Sequence, residues 1–245
     1  SEHFSIWSLI NDENKKNIKK IYLTASGGPF LNKKLSNIHN IKPEYALKHP
    51  NWKMGKKITI DSATMMNKIF EVIEAKKIFD LNIKKLDILI HPKSYIHAII
   101  HFNTGLTKLI AHETTMQIPI INSLYERNET FSFNNKNFDY LNLNGLNFIK
   151  PNIKNFPLLK LINYEFNNTF FEIILVSLND FLVKRYLDNS INYIDLHKLL
   201  INLLKNPYFT KYYKKKPKNI NEIKNMVLKV KKYLHKNLIK NEKFI

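Results

Sequence analysis

The sequence predicts an α+β protein, a mixed-sheet α/β unit followed by an all-α helical tail. Three observations carry this. Short β-rich runs alternate with a helical run between Ile18 and His112. The chain from Phe170 onward shows apolar residues three and four apart in three successive segments. Between them, residues 128–155 are rich in Asn and Phe and carry no sustained period. We therefore divide the chain into residues 1–127, a connection over 128–164, and a helical region over 165–245.

In order, Ile18 to Thr24 (IKKIYLT) reads as a strand running into the small-residue turn Ala25-Ser26-Gly27-Gly28-Pro29. Residues 44–57, with Pro50 and Gly55, read as a loop, and Ile58 to Ser62 as a short extended piece. Ala63 to Phe79 has Met66, Ile69, Phe70, Ile73 and Ile78 at helical spacing, with Asp61 or Ser62 placed to cap it. Leu86 to Ile90 is a buried strand by composition. Ser94 to Phe102 and Leu106 to His112 are two more, joined at Thr104-Gly105. The 128–155 stretch has room for one short strand pair. Phe170 to Leu187, Tyr193 to Leu204 and Asn219 to Leu238 are the tail helices. Pro207 and Pro217 bracket a Lys/Tyr-rich link.

Composition excludes several classes. Hydrophobic residues make up 44% of 245, enough for a sizeable core. With no cysteine there is no disulfide scaffold, thiolate zinc site or Cys nucleophile. No apolar run approaches the roughly 20 residues of a membrane span, and no secretory signal pattern precedes the first strand. The expectation is a non-secreted protein, cytoplasmic in a bacterium with an AT-rich genome, or plastid. The formal charge is +19, yet of the 39 basic residues only Arg127 and Arg185 are arginine. Lys, Asn, Ile and Phe have AT-rich codons, so the basicity reads mainly as nucleotide bias. The scarcity of arginine, the preferred residue for bidentate phosphate and base contacts, argues against a nucleic-acid partner.

The chemistry concentrates in three places: Ser1-Glu2-His3, Thr24 to Phe30, and the block from His49 to Glu71. Asn67 and Glu71 are four apart on the predicted helix, and Lys68 and Glu71 three apart. One face thus presents an amide, an ammonium and a carboxylate, a set suited to a phosphorylated ligand beside a hard metal ion. Glu2 offers a second carboxylate. Ser26 and its turn can cradle a phosphate. Trp52 and Met54 are placed to close over a ligand and exclude water.

These residues stand in a specific order. The run HPNWKMGKKITIDSATMMNK from His49 to Lys68 resembles the 1-deoxy-D-xylulose 5-phosphate reductoisomerase family. So do SGGPF at Ser26 to Phe30, the opening Ser1-Glu2-His3, HPKSYIH at His91 to His97, MQIPI at Met116 to Ile120 and FPLLKL at Phe156 to Leu161. The resemblance implies that residues 1–127 are a catalytic domain. It implies NADPH and Mg²⁺ or Mn²⁺ as cofactors, and a retro-aldol rearrangement of the phosphorylated sugar followed by reduction to 2-C-methyl-D-erythritol 4-phosphate. By the same token Glu2 and Glu71 hold the metal, with an Asp expected immediately before Ser1 as third ligand. Glu2, Lys68, Glu71 and His49 serve the reaction. Ser26, Ser62, Asn67 and Lys68 face the phosphate, and Ser1, His49 and Trp52 complete the substrate contacts. Met54 and Gly55 lie toward the nicotinamide, and His97 is a support or contact near the site. A homodimer is implied as well.

Departures are visible. No G-x-G-x-x-G run occurs, so the cofactor domain is expected upstream, in a longer polypeptide or on a partner. Ile69-Phe70 stands where the family has Gly-Leu; a helix interior tolerates the change, and its bulk would crowd the site only if that Gly serves a close approach. Thr114-Thr115 replaces Pro-Asp. The tail reads Leu178-Asn179-Asp180-Phe181 in place of an Asn-Glu-rich helix, a change expected to bear on packing more than on chemistry. Two alternatives stand beside this reading: a non-catalytic remnant that binds a metal and a phosphorylated ligand, and a basic nucleic-acid-binding protein.

Overall fold

A four-stranded sheet of order β2-β1-β3-β4 forms the centre. The computed structural model describes residues 1–10, 13, 15–50, 52, 54–125 and 140–239. Strands β1 (Ile18–Ala25) and β2 (Leu86–Ile90) run parallel, with Ile21 opposite Leu86 and Ala25 opposite Ile90. β3 (Ile96–Phe102) is antiparallel to β1, and β4 (Thr107–Ala111) antiparallel to β3. The sheet is therefore mixed, as the alternation of strand and helix predicts.

A parallel β1–β2 pair requires a crossover. Here it contains α2 (Pro43–Ala46), α3 (Lys56–Ala63) and α4 (Met66–Ile78). α4 packs on β1 and β2, while α1 (Glu2–Ile10) lays Ile6 and Ile10 over β3 and β4. The carboxyl ends of β1 and β2, the start of β3 and the N-termini of α1 and α4 meet at one end of the sheet. α5 (Gln117–Leu124) follows β4.

Four expectations in the crossover are corrected. Ile58 to Ser62 is helical, not extended. The β-branched Ile58, Thr59 and Ile60 favour a strand locally, but Thr59 bonds the Gly55 carbonyl through its N–H (3.1 Å) and Oγ1 (2.9 Å), and Ile60 is fully buried. The helix expected over Ala63 to Phe79 begins at Met66 and is capped by neither Asp61 nor Ser62. Met65, at φ 64°, breaks the chain between α3 and α4. Ile78, expected on the buried face, is 62% exposed at the end of α4. The expected 44–57 loop also carries the end of α2 and the start of α3.

The turn after β1 places Gly27 and Gly28 at φ 90° and 64°. A Cβ on Gly28 would lie 3.2 Å from both Ala63 Cα and the Ser62 carbonyl oxygen, so the turn lies directly against the end of α3.

Beyond β4, residues 128–139 of the stretch expected to hold a strand pair lie outside the described ones, and residues 140–155 hold no named strand. Ile149 forms one antiparallel bridge to Ile90, with both N–H···O distances 2.8 Å. The tail is helical as expected. α6 (Phe170–Leu187) and α7 (Tyr193–Leu204) start in capping boxes, Thr169 with Glu172 and Asn192 with Asp195. The Lys/Tyr link holds a one-turn helix, α8 (Pro207–Thr210). Asn219 caps α9 (Ile220–Leu234), which runs into a π-helical turn over His235–Ile239. α6 packs against α7, α9 and α3. One apolar cluster runs from Ile6 and the strands through Phe171 and Leu178 to Leu234.

Candidate active site

A cavity of about 520 Å³ opens where those element ends meet. Ser1, Glu2, Ser26, His49, Trp52, Met54, Ser62, Asn67, Lys68, Glu71 and His97, all singled out from sequence, line it. Gly55 does not. It precedes α3, and its carbonyl anchors Thr59. Thr24, Ser94 and Met116 line the cavity as well.

Helical spacing sets the first cluster. Lys68 and Glu71 share a face of α4, and the Lys68 Nζ lies 2.6 Å from Glu71 Oε2 and 2.7 Å from Glu2 Oε1 on α1. The Asn67 amide donates to the other Glu71 oxygen. Burial works against the charge of Glu2, but Lys68, with His97 beside it, outweighs it and holds the carboxyl well below its usual range. Burial and the facing Glu2 push Glu71 up to about 8, with Lys68 only partly opposing them. Lys68 is itself buried, yet the two carboxylates raise its pKa and keep it cationic. Below about pH 8 Glu71 thus largely keeps its proton, and the trio balances as one carboxylate, one ammonium and one neutral carboxyl.

The second cluster joins two segments through a histidine. His49 Nε2 lies 3.0 Å from Ser26 Oγ, after β1, and 3.2 Å from Ser62 Oγ, on α3. Its Nδ1 accepts the Trp52 backbone N–H at 2.9 Å. An accepting Nδ1 puts the ring proton of the neutral form on Nε2, facing the two hydroxyls. Burial lowers the His49 pKa, which favours that neutral form. Ser26 Oγ also receives the Gly28 N–H at 3.1 Å, and this closes the turn.

A histidine stack backs the cavity. His97 Nδ1 lies 3.9 Å from Glu2 Oε1, and the Trp52 ring meets His97 edge-on at 6.1 Å. His112 stacks on the far side of His97, with centroids 4.2 Å apart and planes 14° apart. Burial, with His97 adding to it, lowers the His112 pKa to about 4. Sequence reading missed His112, which has no helical or strand-face partner to mark it.

It also missed the support behind Ser62. Asp61 is buried, and its Oδ1 accepts the Asn179 amide at 2.8 Å. Lys57 bridges Asp61 and Asp180, each at 2.9 Å. The drifted tail segment thus reaches the site's backing rather than only its own packing. Ile69 does not press on the site: it is fully buried in the core, on the opposite side of α4 from the cavity-lining residues.

Among the described residues no group of three or more His, Cys, Asp or Glu side chains forms a metal centre. Glu2 and Glu71 are the paired oxygen donors, and a hard divalent ion between them would displace the proton that Glu71 holds against Glu2.

Comparison with known proteins agrees with this architecture. Models of the 1-deoxy-D-xylulose 5-phosphate reductoisomerase C-terminal domain and of the DXP reductoisomerase C-terminal domain match residues 1–79 and 112–233. The 1-deoxy-D-xylulose 5-phosphate reductoisomerase of Pelagibacter ubique is 55% identical over 92% of this chain, and that of a Sulfurihydrogenibium species 40% identical over 83%. The chain spans 58% and 54% of those relatives' own lengths. A DOX-P reductoisomerase crystal structure in complex with NADPH, fosmidomycin and magnesium superposes with TM-score 0.85 at 30% identity, over 97% of this chain and 63% of that one. The Zymomonas mobilis enzyme in complex with NADPH superposes with TM-score 0.80 at 28% identity, over 94% of this chain and 58% of that one. The chain belongs to the 1-deoxy-D-xylulose 5-phosphate reductoisomerase family, of which it carries the C-terminal part.

Proposed function

We propose that this chain is the metal- and phosphate-binding part of an enzyme that converts 1-deoxy-D-xylulose 5-phosphate to 2-C-methyl-D-erythritol 4-phosphate with NADPH. What supports the reading is one cavity that joins the Glu2–Lys68–Glu71 trio to the Ser26–His49–Ser62 cluster.

A Mg²⁺ or Mn²⁺ ion held by Glu2 and Glu71 supplies Lewis acidity at the substrate's oxygens. Ser26, Ser62, Asn67 and Lys68 receive the phosphate with two hydroxyls, an amide and an ammonium. Neutral His49 keeps both hydroxyls aimed inward by sharing its Nε2 proton between them. Ser1 Oγ, which donates to Glu2 Oε2 at 2.8 Å, holds that carboxylate. Trp52 and Met54 cover the cavity, and Met54 and Gly55 face the nicotinamide supplied by a cofactor domain outside this chain.

The domain limits 1–127, 128–164 and 165–245 belong to the same reading. So does a homodimer in the bacterial cytoplasm: β4 is a sheet edge among the described residues, and its Leu109 is 44% exposed. Among the described residues no helix is long and apolar enough to cross a membrane.

The test is NADPH oxidation with 1-deoxy-D-xylulose 5-phosphate by the polypeptide as its cell makes it, with and without Mg²⁺ or Mn²⁺. Metal-dependent oxidation is expected. Its absence from a folded, metal-loaded preparation overturns the catalytic reading.

A further inference from the structure

We infer that Asn179 and Tyr193, on the tail helices, are positioning residues for Ser62 and thereby set the affinity of the phosphate subsite. This rests on the phosphate reading of Ser26 and Ser62 above. Ser62 lies between two gripped residues. On one side, Asn179 on α6 donates its amide to the buried Asp61 carboxylate at 2.8 Å. On the other, the Tyr193 hydroxyl on α7 donates to the Ala63 carbonyl at 2.8 Å. Both bonds are buried, where a lost partner leaves a polar atom with no access to water.

The local backbone makes that grip consequential. Directly after Ala63 the chain passes through Met65 at φ 64° before α4 begins, so α3 has no helical continuation to hold its last turn. The Gly28 turn lies against the same stretch, so close that a Cβ on Gly28 would be 3.2 Å from the Ser62 carbonyl oxygen and from Ala63 Cα. The Tyr193 ring also meets Phe30 edge-on at 5.1 Å, in the turn that carries Ser26. One tail residue therefore contacts both segments whose hydroxyls His49 joins. Lys57, shared by Asp61 and Asp180, ties α3 to α6 a second time.

A control is built into the fold. The Tyr186 hydroxyl, on α6, makes a part-buried 2.8 Å bond to the Ile41 carbonyl, which does not line the cavity, while its ring meets that of Tyr193 edge-on at 5.8 Å. Tyr186→Phe and Tyr193→Phe each delete one hydroxyl bond and keep the ring and its contact with the other tyrosine.

The experiment is calorimetric titration of the purified protein with inorganic phosphate, for the parent and for Tyr193→Phe, Asn179→Leu, Tyr186→Phe and Ser62→Ala, with folding checked by circular dichroism. Tyr193→Phe and Asn179→Leu are expected to raise the phosphate Kd about tenfold, as loss of an outer-shell support does. Ser62→Ala should weaken binding too, while Tyr186→Phe stays within about twofold of the parent. Parent-like affinity in Tyr193→Phe and Asn179→Leu, with Ser62→Ala weakened, overturns the positioning role and leaves the phosphate site standing. An equal loss in Tyr186→Phe overturns it as general loosening of the bundle. Unchanged affinity in Ser62→Ala removes the phosphate reading and this inference with it.

Discussion

Glu2 and Glu71, from opposite ends of the first 80 residues, share the ammonium of Lys68 at 2.7 and 2.6 Å. Neither carboxylate is close to the other in sequence, and one helix face supplies only Lys68 and Glu71. The sheet brings α1 and α4 together and completes the set.

Glu71→Gln keeps the shape and the Asn67 contact but removes a negative donor. In the complete polypeptide, turnover should fall roughly 100-fold or more, since Lewis-acid stabilisation is worth several kcal/mol. Circular dichroism should be unchanged. Near-parental turnover refutes Glu71 as a metal ligand.

Lys68→Met leaves the buried Glu2 carboxylate facing Glu71 without its cation. Breaking a buried pair in this way costs about 3–5 kcal/mol. Mg²⁺ should restore part of the lost thermal stability of this variant, because it supplies the missing positive charge to the same oxygens. Melting curves that ignore Mg²⁺ count against a metal site between Glu2 and Glu71.

Gly28→Ala places a methyl group against Ala63 and the Ser62 carbonyl at a left-handed φ. The backbone alone costs about 1–2 kcal/mol, and the contact adds to it. Urea denaturation should show a loss at least that large. An unchanged midpoint means the turn and α3 are not in register as described.

His197 sits on α7 with both ring nitrogens buried and unpaired among the described residues, edge-on to Tyr193. Burial lowers its pKa from 6.5 to about 4. Above pH 6.5 the folded and unfolded chains both keep the ring neutral, so its contribution is intact. Between pH 6.5 and about 4 only the unfolded chain takes up the proton, and stability falls by about 3 kcal/mol over that window. His197→Leu should flatten this part of the stability–pH curve. A variant as acid-sensitive as the parent places the sensitivity elsewhere.

Much of this was legible in the residues. The strands of the sheet and the three long tail helices follow their apolar periods, and the i, i+3 and i, i+4 spacing puts Asn67, Lys68 and Glu71 on one face. Local chemistry misled at Ile58 to Ser62, where β-branched residues sit in a helix held by long-range burial of Ile60. It was silent at Met65, because no residue type announces a left-handed methionine. The Asn179–Asp61 and Tyr193–Ala63 bonds join residues more than a hundred positions apart. Periodicity reports which face is buried, not which polar atom will meet it there. The His97–His112 stack was hidden for the same reason, since the two rings come from different strand ends.

The grip on Ser62 has a consequence for the order of synthesis. Every residue that lines the cavity has been translated once Met116 is in the chain, but Asn179 and Tyr193 leave the ribosome long afterwards. Chains emerge and begin to fold from the N-terminus, so a ribosome paused in the connection bears a sheet, two carboxylates and a histidine clasp, with Ser62 not yet held by the tail. The pocket is furnished early and set last, when the tail helices arrive.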